Sequence, residues 1–220
     1  MHLARRLHGR QRSHGTTLDR FRLNELVSQV AFGGRRGRVY REIVSLSGVR
    51  PGDRVLDVGS SSGYLVRKLA VAAGPTGQVT GVDPAEAAIT YAQRHASDGV
   101  TFSVGTAQDL DLPDAAFDVV TCTLALHHVP ARKRQTALNE MFRITKPGGR
   151  LLLADFDPSR PALRLHPGGQ RMQHAAATVG SLEELAAFAG YQIESSGKLP
   201  LLRYIVAVRC QSPQSGEREE

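Results

Sequence analysis

The chain has 220 residues, of which 41% are hydrophobic, and its formal charge is +7. This length suits one globular domain with a short extension, and no apolar run approaches the roughly 18 residues of a membrane span. Two cysteines, Cys122 and Cys210, do not make a disulfide framework, so a cytoplasmic location is expected.

Positive charge is concentrated at the N-terminus. Residues 1–41 contain ten arginines against Asp19 and Glu25, a net of +8, whereas the rest of the chain is close to neutral. We expect a basic arm or cap over 1–41, one domain over 42–210 and a disordered polar tail over 211–220.

The basic arm has more than one interpretation. It lacks the apolar stretch of a secretory signal. Its many arginines resemble a mitochondrial presequence, but a bacterial N-terminal arm is the simpler interpretation. Such an arm either attracts an acidic substrate, an anionic membrane surface or nucleic acid, or is merely solvated. Nucleic acid is the least favoured partner because aromatic residues are not interleaved with the arginines. The oligomeric state is not predicted.

Strands and helices alternate along the domain. Apolar runs and turn signals predict strands near residues 54–58, 78–82, 100–104, 117–123 and 150–156. Helices are predicted near residues 36–47, 64–73, 85–96, 131–145 and 181–189. Two last strands, Tyr191 to Ser196 and Leu201 to Arg209, are joined by a short link containing Gly197 and form an antiparallel hairpin. The pattern is that of an α/β fold.

The first strand ends in an acid that is followed by a turn of small residues. Asp57 closes the strand, and Gly59 and Gly63 allow a tight turn before the next helix. An acid at the end of an apolar strand is costly unless it meets a ligand or is well hydrogen-bonded. The exposed N-terminus of the helix offers unpaired N–H groups. This unit predicts a nucleotide-type binding site.

A second acid, Asp83, closes the second strand 20 residues after Gly63 and matches the acid that binds ribose hydroxyls. The two acids fit either an NAD site or an S-adenosylmethionine site. The dinucleotide pattern needs glycines at 59, 61 and 64, where the chain has Gly59, Ser61 and Tyr64. Asp57 would also repel a pyrophosphate but suits an ammonium group. These details favour S-adenosylmethionine over NAD.

The motifs together resemble those of class I S-adenosylmethionine-dependent methyltransferases, with a fainter similarity to the branch that methylates ubiquinone and menaquinone precursors (methyltransferase type 11). The segments that carry the resemblance are 55–63 (Val-Leu-Asp-Val-Gly-Ser-Ser-Ser-Gly), 81–83 (Gly-Val-Asp), 117–120 (Phe-Asp-Val-Val), 126–129 (Leu-His-His-Val) and 146–149 (Lys-Pro-Gly-Gly). The resemblance implies a doubly wound, Rossmann-like sheet of seven mostly parallel strands that ends in an antiparallel hairpin.

The resemblance also implies a role for each candidate cofactor-binding residue. The amino-acid end of S-adenosylmethionine is expected at Asp57 and the turn, the ribose at Asp83, and the adenine at the segment after the third strand. Thr106 replaces the acid that the family has there, and Ser61 replaces a glycine. The expected cofactor residues are Asp57, Gly59, Ser61, Gly63, Asp83, Pro84, Thr106, Ala107, Gln108, Thr123 and Leu124. No metal site is expected.

Two adjacent histidines, His127 and His128, follow the fourth strand at the edge where ligands bind in such sheets. Either one is a candidate base for the methyl acceptor, or one packs and the other only borders the pocket. The expected activity is methyl transfer to a small molecule through an O, N or C nucleophile. The alternatives are a non-catalytic regulatory protein that binds the cofactor and, less favoured, an NAD-dependent oxidoreductase.

Overall fold

The computed structural model describes residues 34–159 and 180–210; the predicted tail and the arm up to residue 33 lie outside these ranges. The strands are β1 Arg54–Val58, β2 Gln78–Asp83, β3 Val100–Val104, β4 Phe117–Thr123, β5 Thr145–Phe156, β6 Tyr191–Leu199 and β7 Leu202–Arg209. The helices are α1 Arg36–Ser47, α2 Tyr64–Ala73, α3 Glu86–Gln93, α4 Arg134–Ile144 and α5 Leu182–Phe188. Short 3₁₀ turns cover Leu126–His128 and Ala131–Lys133.

The seven strands form one sheet in the order β3-β2-β1-β4-β5-β7-β6. Strands β1 to β5 are parallel, and β7 and β6 add an antiparallel hairpin at the edge. This architecture confirms the predicted fold class. The chain leaves β1 toward one edge and β4 toward the other, so the topological switch point lies between these two strands, where Asp57 pairs in register with Thr121.

Apolar side chains cover both faces of the sheet because the parallel strands are buried on both sides. On one face, Val39 and Ile43 of α1 pack with Leu69 of α2, whereas Leu138 and Met141 of α4 belong to the cluster on the other. Each such side chain stabilises the fold by about 1.5–3 kcal/mol when fully buried. The predicted boundary between the basic arm and the domain, at residue 41, falls inside helix α1. Val39 and Ile43, on either side of this boundary, are both buried against the sheet.

Two predicted connections differ from those in the structure. Gly197 is not in the hairpin link; it lies within β6 opposite Tyr204, and the turn falls at Pro200 and Leu201. A Cβ at Gly197 would lie 2.8 Å from the Tyr204 hydroxyl, so this glycine makes room for a cross-strand ring. The predicted connection between the helix near 131–145 and the strand near 150–156 is also different. Helix α4 ends at Ile144, and residues 146–149 already belong to β5, whose pairing with β4 shifts in register between Phe117 and Val119.

Candidate functional site

A cavity of about 340 Å³ lies at the carboxyl ends of β1, β2 and β4. Pockets of this size hold small ligands. Seven of the predicted site residues line it, namely Gly59, Asp83, Pro84, Thr106, Ala107, Gln108 and His128. Its other walls are mainly apolar and were not predicted; they include Val58, Val82, Cys122, Ala125, Val129 and Pro130. The sequence motifs therefore indicate the polar end of this cavity but not its apolar wall.

The turn after β1 depends on its two glycines. Gly59 has φ +79° and donates its N–H to the Val82 carbonyl at 2.7 Å, and a Cβ at this position would overlap the Ala125 methyl. Gly63 has φ +77°, and a Cβ there would lie 2.6 Å from the Phe102 ring. Both glycines are required because the backbone is left-handed and the neighbouring side chains approach closely. They bring the backbone up to the wall of the cavity.

Asp83 links this turn to the end of β2. One carboxylate oxygen accepts the Ser61 N–H at 2.9 Å, and the other accepts the Ala85 N–H at 2.8 Å. Ala85 is the N-cap residue of α3, and no side-chain cap hydrogen bond is made there, so the Asp83 carboxylate does not serve as the cap of that helix. A carboxylate has about four acceptor sites, so Asp83 can still accept two hydroxyl donors from a ligand. This geometry suits a ribose.

Asp57 lies on the opposite face of the sheet from the cavity and does not line it. Its side chain is buried, and the Thr121 hydroxyl donates to it at 2.7 Å. Burial raises the pKa of Asp57 to about 7; the Thr121 hydrogen bond opposes that shift, and the charge of Asp83 adds to it. A nearby cation would lower this pKa again, because a positive group favours the charged form of an acid.

The end of β4 lies beside Asp57 across the switch point. Thr123 is 8% exposed, and its hydroxyl has no hydrogen-bond partner in the described part of the chain. Leu124 has φ +56° and donates its N–H to the Ala154 carbonyl at 2.8 Å. Ser61 has φ +48° as well. Left-handed residues other than glycine are strained, and such strain clusters at functional sites.

The two histidines have different surroundings. The His127 side chain is 6% exposed, and its Nδ1 lies 2.7 Å from an Asp155 oxygen. The second oxygen of Asp155 accepts the His127 backbone N–H at 3.0 Å. His128 lines the cavity instead, and desolvation together with the neighbouring His127 lowers its pKa, against the charges of Asp155 and Asp83. The sequence reasoning did not find Asp155, which is 28 residues away from its partner.

The described ranges contain no candidate metal centre. There, no three His, Cys, Asp or Glu side chains converge in a way that could hold a metal ion. Among the same residues, no helix is both long enough and apolar enough to cross a bilayer. Fold and cavity together define a doubly wound α/β domain with a nucleoside-sized site at its switch point.

Residues 55–149 match the family model for a methyltransferase domain. The matched segment runs from β1 into β5 and contains the glycine turn, Asp83 and both histidines. This segment is thus similar to methyltransferase domains, in agreement with the resemblance carried by the sequence motifs.

The sequence relatives are named as methyltransferases of ubiquinone and menaquinone biosynthesis. The chain is 39% identical over 145 residues to the ubiquinone/menaquinone biosynthesis C-methyltransferase of Ectopseudomonas mendocina, covering 63% of this chain and 56% of the relative. It is 34% identical over 145 residues to the demethylmenaquinone methyltransferase of Symbiobacterium thermophilum, with 64% and 56% covered. The chain thus spans little more than half of the length of these relatives.

Solved structures share the fold at lower identity. An S-adenosylmethionine-dependent methyltransferase from Aquifex aeolicus superposes with a TM-score of 0.66 at 20% identity, covering 77% of this chain and 89% of that one. The [4+2]-cyclase SpnF superposes with a TM-score of 0.65 at 19% identity, covering 80% and 82%. One fold therefore serves different reactions, and the residues of the site, not the fold, determine which reaction a protein catalyses.

Proposed function

We propose that this chain binds S-adenosylmethionine across the ends of β1, β2 and β4 and transfers its methyl group to a small-molecule acceptor. The observation that carries the proposal is the pairing of a nucleoside-sized cavity with a buried acid, Asp57, where a dinucleotide would place its pyrophosphate. A phosphate anion would be repelled there, whereas an ammonium group would be attracted.

The described residues fit the parts of this cofactor. Asp83 offers acceptors for the ribose, and the segment 106–108 borders the cavity where adenine would lie. Asp57 serves the ammonium of the amino-acid end from the other face of the sheet. Gly59 lies between these two regions; its left-handed backbone, against which Ala125 packs, forms the edge that the ligand would cross. Thr123 and Leu124 border the amino-acid end.

The bound cofactor would supply an electrophilic methyl group on its sulfonium. The work of the protein is then to hold the acceptor in line with the bond that breaks and to exclude water. Alignment of this kind can contribute roughly 7–11 kcal/mol to lowering the barrier. The apolar wall formed by Ala125, Val129 and Pro130 keeps part of the site dry.

We assign the role of base to His127, with Asp155 as the residue that positions it. An ionised carboxylate only accepts hydrogen bonds, so the contact with Asp155 places the ring proton on Nδ1 and leaves the lone pair on Nε2. His127 is then ready to take a proton from the acceptor as the methyl group arrives. His128 faces the nucleoside cavity and belongs to cofactor binding.

The acceptor that we favour is an aromatic small molecule of the quinone-precursor type, used in its hydroquinone form. The support is the 39% identity to a C-methyltransferase of ubiquinone and menaquinone biosynthesis. A hydroquinone that loses a hydroxyl proton pushes electron density onto the ring carbon, which attacks the methyl group. Loss of the ring proton then restores the aromatic ring, and no oxidant is needed.

Titration calorimetry with S-adenosylhomocysteine tests the cofactor assignment. We expect binding in the micromolar range at pH 7.5, with NADH giving no heat under the same conditions. No binding of S-adenosylhomocysteine at millimolar concentration would refute the proposal, and binding of NADH alone would favour the oxidoreductase alternative.

Turnover is tested with S-adenosylmethionine and demethylmenaquinol kept reduced by dithionite, followed by mass spectrometry. A product heavier by one methylene group supports the quinone assignment. A metabolite extract serves as the second substrate pool. A methylated product found only in the extract would contradict the quinone acceptor but would still support methyl transfer. Cofactor binding without methylation of either pool would favour the non-catalytic alternative, to which the replacements at Ser61 and Thr106 also point.

A further inference from the structure

A second cavity, of about 600 Å³, lies between helices α1 and α2. We call it the α1–α2 groove; its walls include Arg41 and Val44 of α1 and Arg67, Lys68, Val71 and Ala72 of α2. It shares no lining residue with the nucleoside cavity, and none of the predicted site residues belongs to it. The groove is therefore separate from the site described above.

Both walls of the α1–α2 groove follow the helical repeat. On α2, residues 64, 67, 68, 71 and 72 recur at intervals of three and four and share one face, and on α1 residues 41, 44 and 45 do the same. The opposite face of α2, with Leu65 and Leu69, is buried in the core. Val71 lies on the outward face and is 84% exposed, although an outward face normally carries polar side chains. The groove thus offers apolar surface to solvent.

Positive charge surrounds this apolar surface. Arg41, Arg67 and Lys68 line the groove, and no Asp or Glu of the described chain lines it. Elsewhere a long cation meets a carboxylate, as Lys146 does at Asp118 with 2.6 Å between nitrogen and oxygen. Arg41 and Lys68 have no carboxylate partner within residues 34–159 and 180–210. Like charges that are gathered without counter-charges produce a positive potential, which attracts an anionic partner.

We propose that the α1–α2 groove docks the protein on an anionic membrane surface, with lipid headgroups at its cations and Val71 at the level where the acyl chains begin. This assignment does not depend on the cofactor. Nucleic acid would need free aromatic faces for stacking, whereas the Tyr64 ring already meets the Arg36 guanidinium at 3.8 Å and the Lys68 ammonium at 5.0 Å. A second copy of this face would bring the same cations together, which costs energy. An anionic lipid surface satisfies both the cations and the exposed valine.

The test is co-sedimentation of the full chain with vesicles of phosphatidylcholine alone and of phosphatidylcholine with about one quarter phosphatidylglycerol. The wild type should bind the anionic vesicles roughly tenfold or more tightly than the neutral ones. Each basic residue at such a surface contributes about fivefold, so the double variant Arg41→Gln, Lys68→Gln should bind anionic vesicles roughly 25-fold more weakly. The matched control, Arg132→Gln with Lys133→Gln, removes the same charge from the exposed turn before α4 and should stay within about twofold of the wild type.

The apolar part of the contact is tested separately. Val71→Ser should weaken binding to anionic vesicles roughly fivefold, because the valine no longer enters the membrane boundary. Val104, which is 55% exposed at the end of β3, gives the control: Val104→Ser should bind like the wild type. Every variant keeps residues 1–33, so a loss confined to the groove variants cannot come from the basic arm.

A fluorescent label reports the contact without removing a charge. Cys122 is buried and Cys210 is exposed, so a polarity-sensitive dye can be attached at Val71→Cys in the Cys210→Ser background. Its emission should shift to shorter wavelength on anionic vesicles, whereas the same dye at Arg132→Cys should not respond. Equal binding of the wild type to both kinds of vesicle, equal losses in the two double variants, or an unresponsive dye at position 71 would overturn the proposal. A dimer found by ultracentrifugation without lipid and lost in Val71→Ser would overturn it too, because a second copy would then occupy the groove.

Discussion

Replacing Asp57 by Asn should remove a pH dependence from cofactor binding. The pKa of Asp57 is raised to about 7, so the group titrates near neutrality before the ligand arrives. The ligand's ammonium favours the ionised form, and binding below pH 7 must therefore release a proton. Asn has nearly the same shape and can still accept the Thr121 hydroxyl, which limits the change to the charge.

The size of the effect follows from the ionised fraction of Asp57. With a pKa of about 7, about 3% of the protein is ionised at pH 5.5 and about 76% at pH 7.5, so affinity for S-adenosylhomocysteine should rise about 25-fold between them. In Asp57→Asn the affinities at pH 5.5 and 7.5 should differ by no more than about threefold. The affinity of this variant at pH 7.5 should be roughly tenfold or more below that of the wild type. Calorimetry in two buffers of different ionisation enthalpy counts the protons released.

Other groups near Asp57 do not mimic this effect. Burial raises the pKa of Tyr40 on α1 to about 12, so this hydroxyl stays neutral in this range. Desolvation lowers the pKa of His128, which lines the cavity, so His128→Gln serves as the control and should keep most of the rise in affinity. Equal affinity of the wild type at pH 5.5 and 7.5, or an unchanged pH profile in Asp57→Asn, would refute the reasoning.

The same shift has a consequence for the ligand-free protein. The native state holds the Asp57 proton more tightly than the unfolded chain, so the contribution of this group to stability is full below about pH 4 and is lost as the pH rises to about 7. A rise in the pKa from 3.8 to about 7 corresponds to about 4 kcal/mol. Asp57→Asn should therefore be more stable than the wild type at pH 8, as measured by urea unfolding.

Three further substitutions test the site. Gly59→Ala should lower the free energy of unfolding by roughly 2 kcal/mol or more, whereas Gly34→Ala, also at positive φ but with open space around it, should lose about 1 kcal/mol in the same urea titration. Thr121→Val should move the midpoint of the pH dependence of binding to about 8, because the buried carboxylate loses its donor; an unmoved midpoint contradicts this. Asp155→Asn should lower kcat roughly tenfold or more with KM and cofactor affinity kept, and unchanged kcat would remove His127 as the base.

Local signals carried most of the fold prediction. The strand that ends at Asp57, its glycine turn and the acid Asp83 lie within 30 residues, and each has a side-chain or backbone requirement that the sequence displays directly. The alternation of apolar residues also sufficed to place the strands. The start of α5 is set by an equally local contact, because the Ser181 hydroxyl accepts the Glu184 N–H three residues further on.

Contacts between distant segments could not be predicted in the same way. Thr121 meets Asp57 across 64 residues, and Asp155 meets His127 across 28, so neither partner leaves a local pattern. The sequence around Gly197 predicts a turn, because glycine is typical of turns. Its actual role, leaving room for the ring of Tyr204, depends on the register of the hairpin.

The proposed site is divided between the two faces of the sheet. This division explains why Gly59, with its left-handed backbone, lies two residues after Asp57, the acid whose pKa is about 7. Side chains alternate along β1, so Asp57 and Val58 point to opposite faces. A ligand with a nucleoside on one face and an amino acid on the other must cross the edge at the next residue. That residue is Gly59, where a side chain would meet Ala125. The crossing also keeps the acid away from the nucleoside cavity, so that its charge acts mainly on the end of the ligand that carries the ammonium.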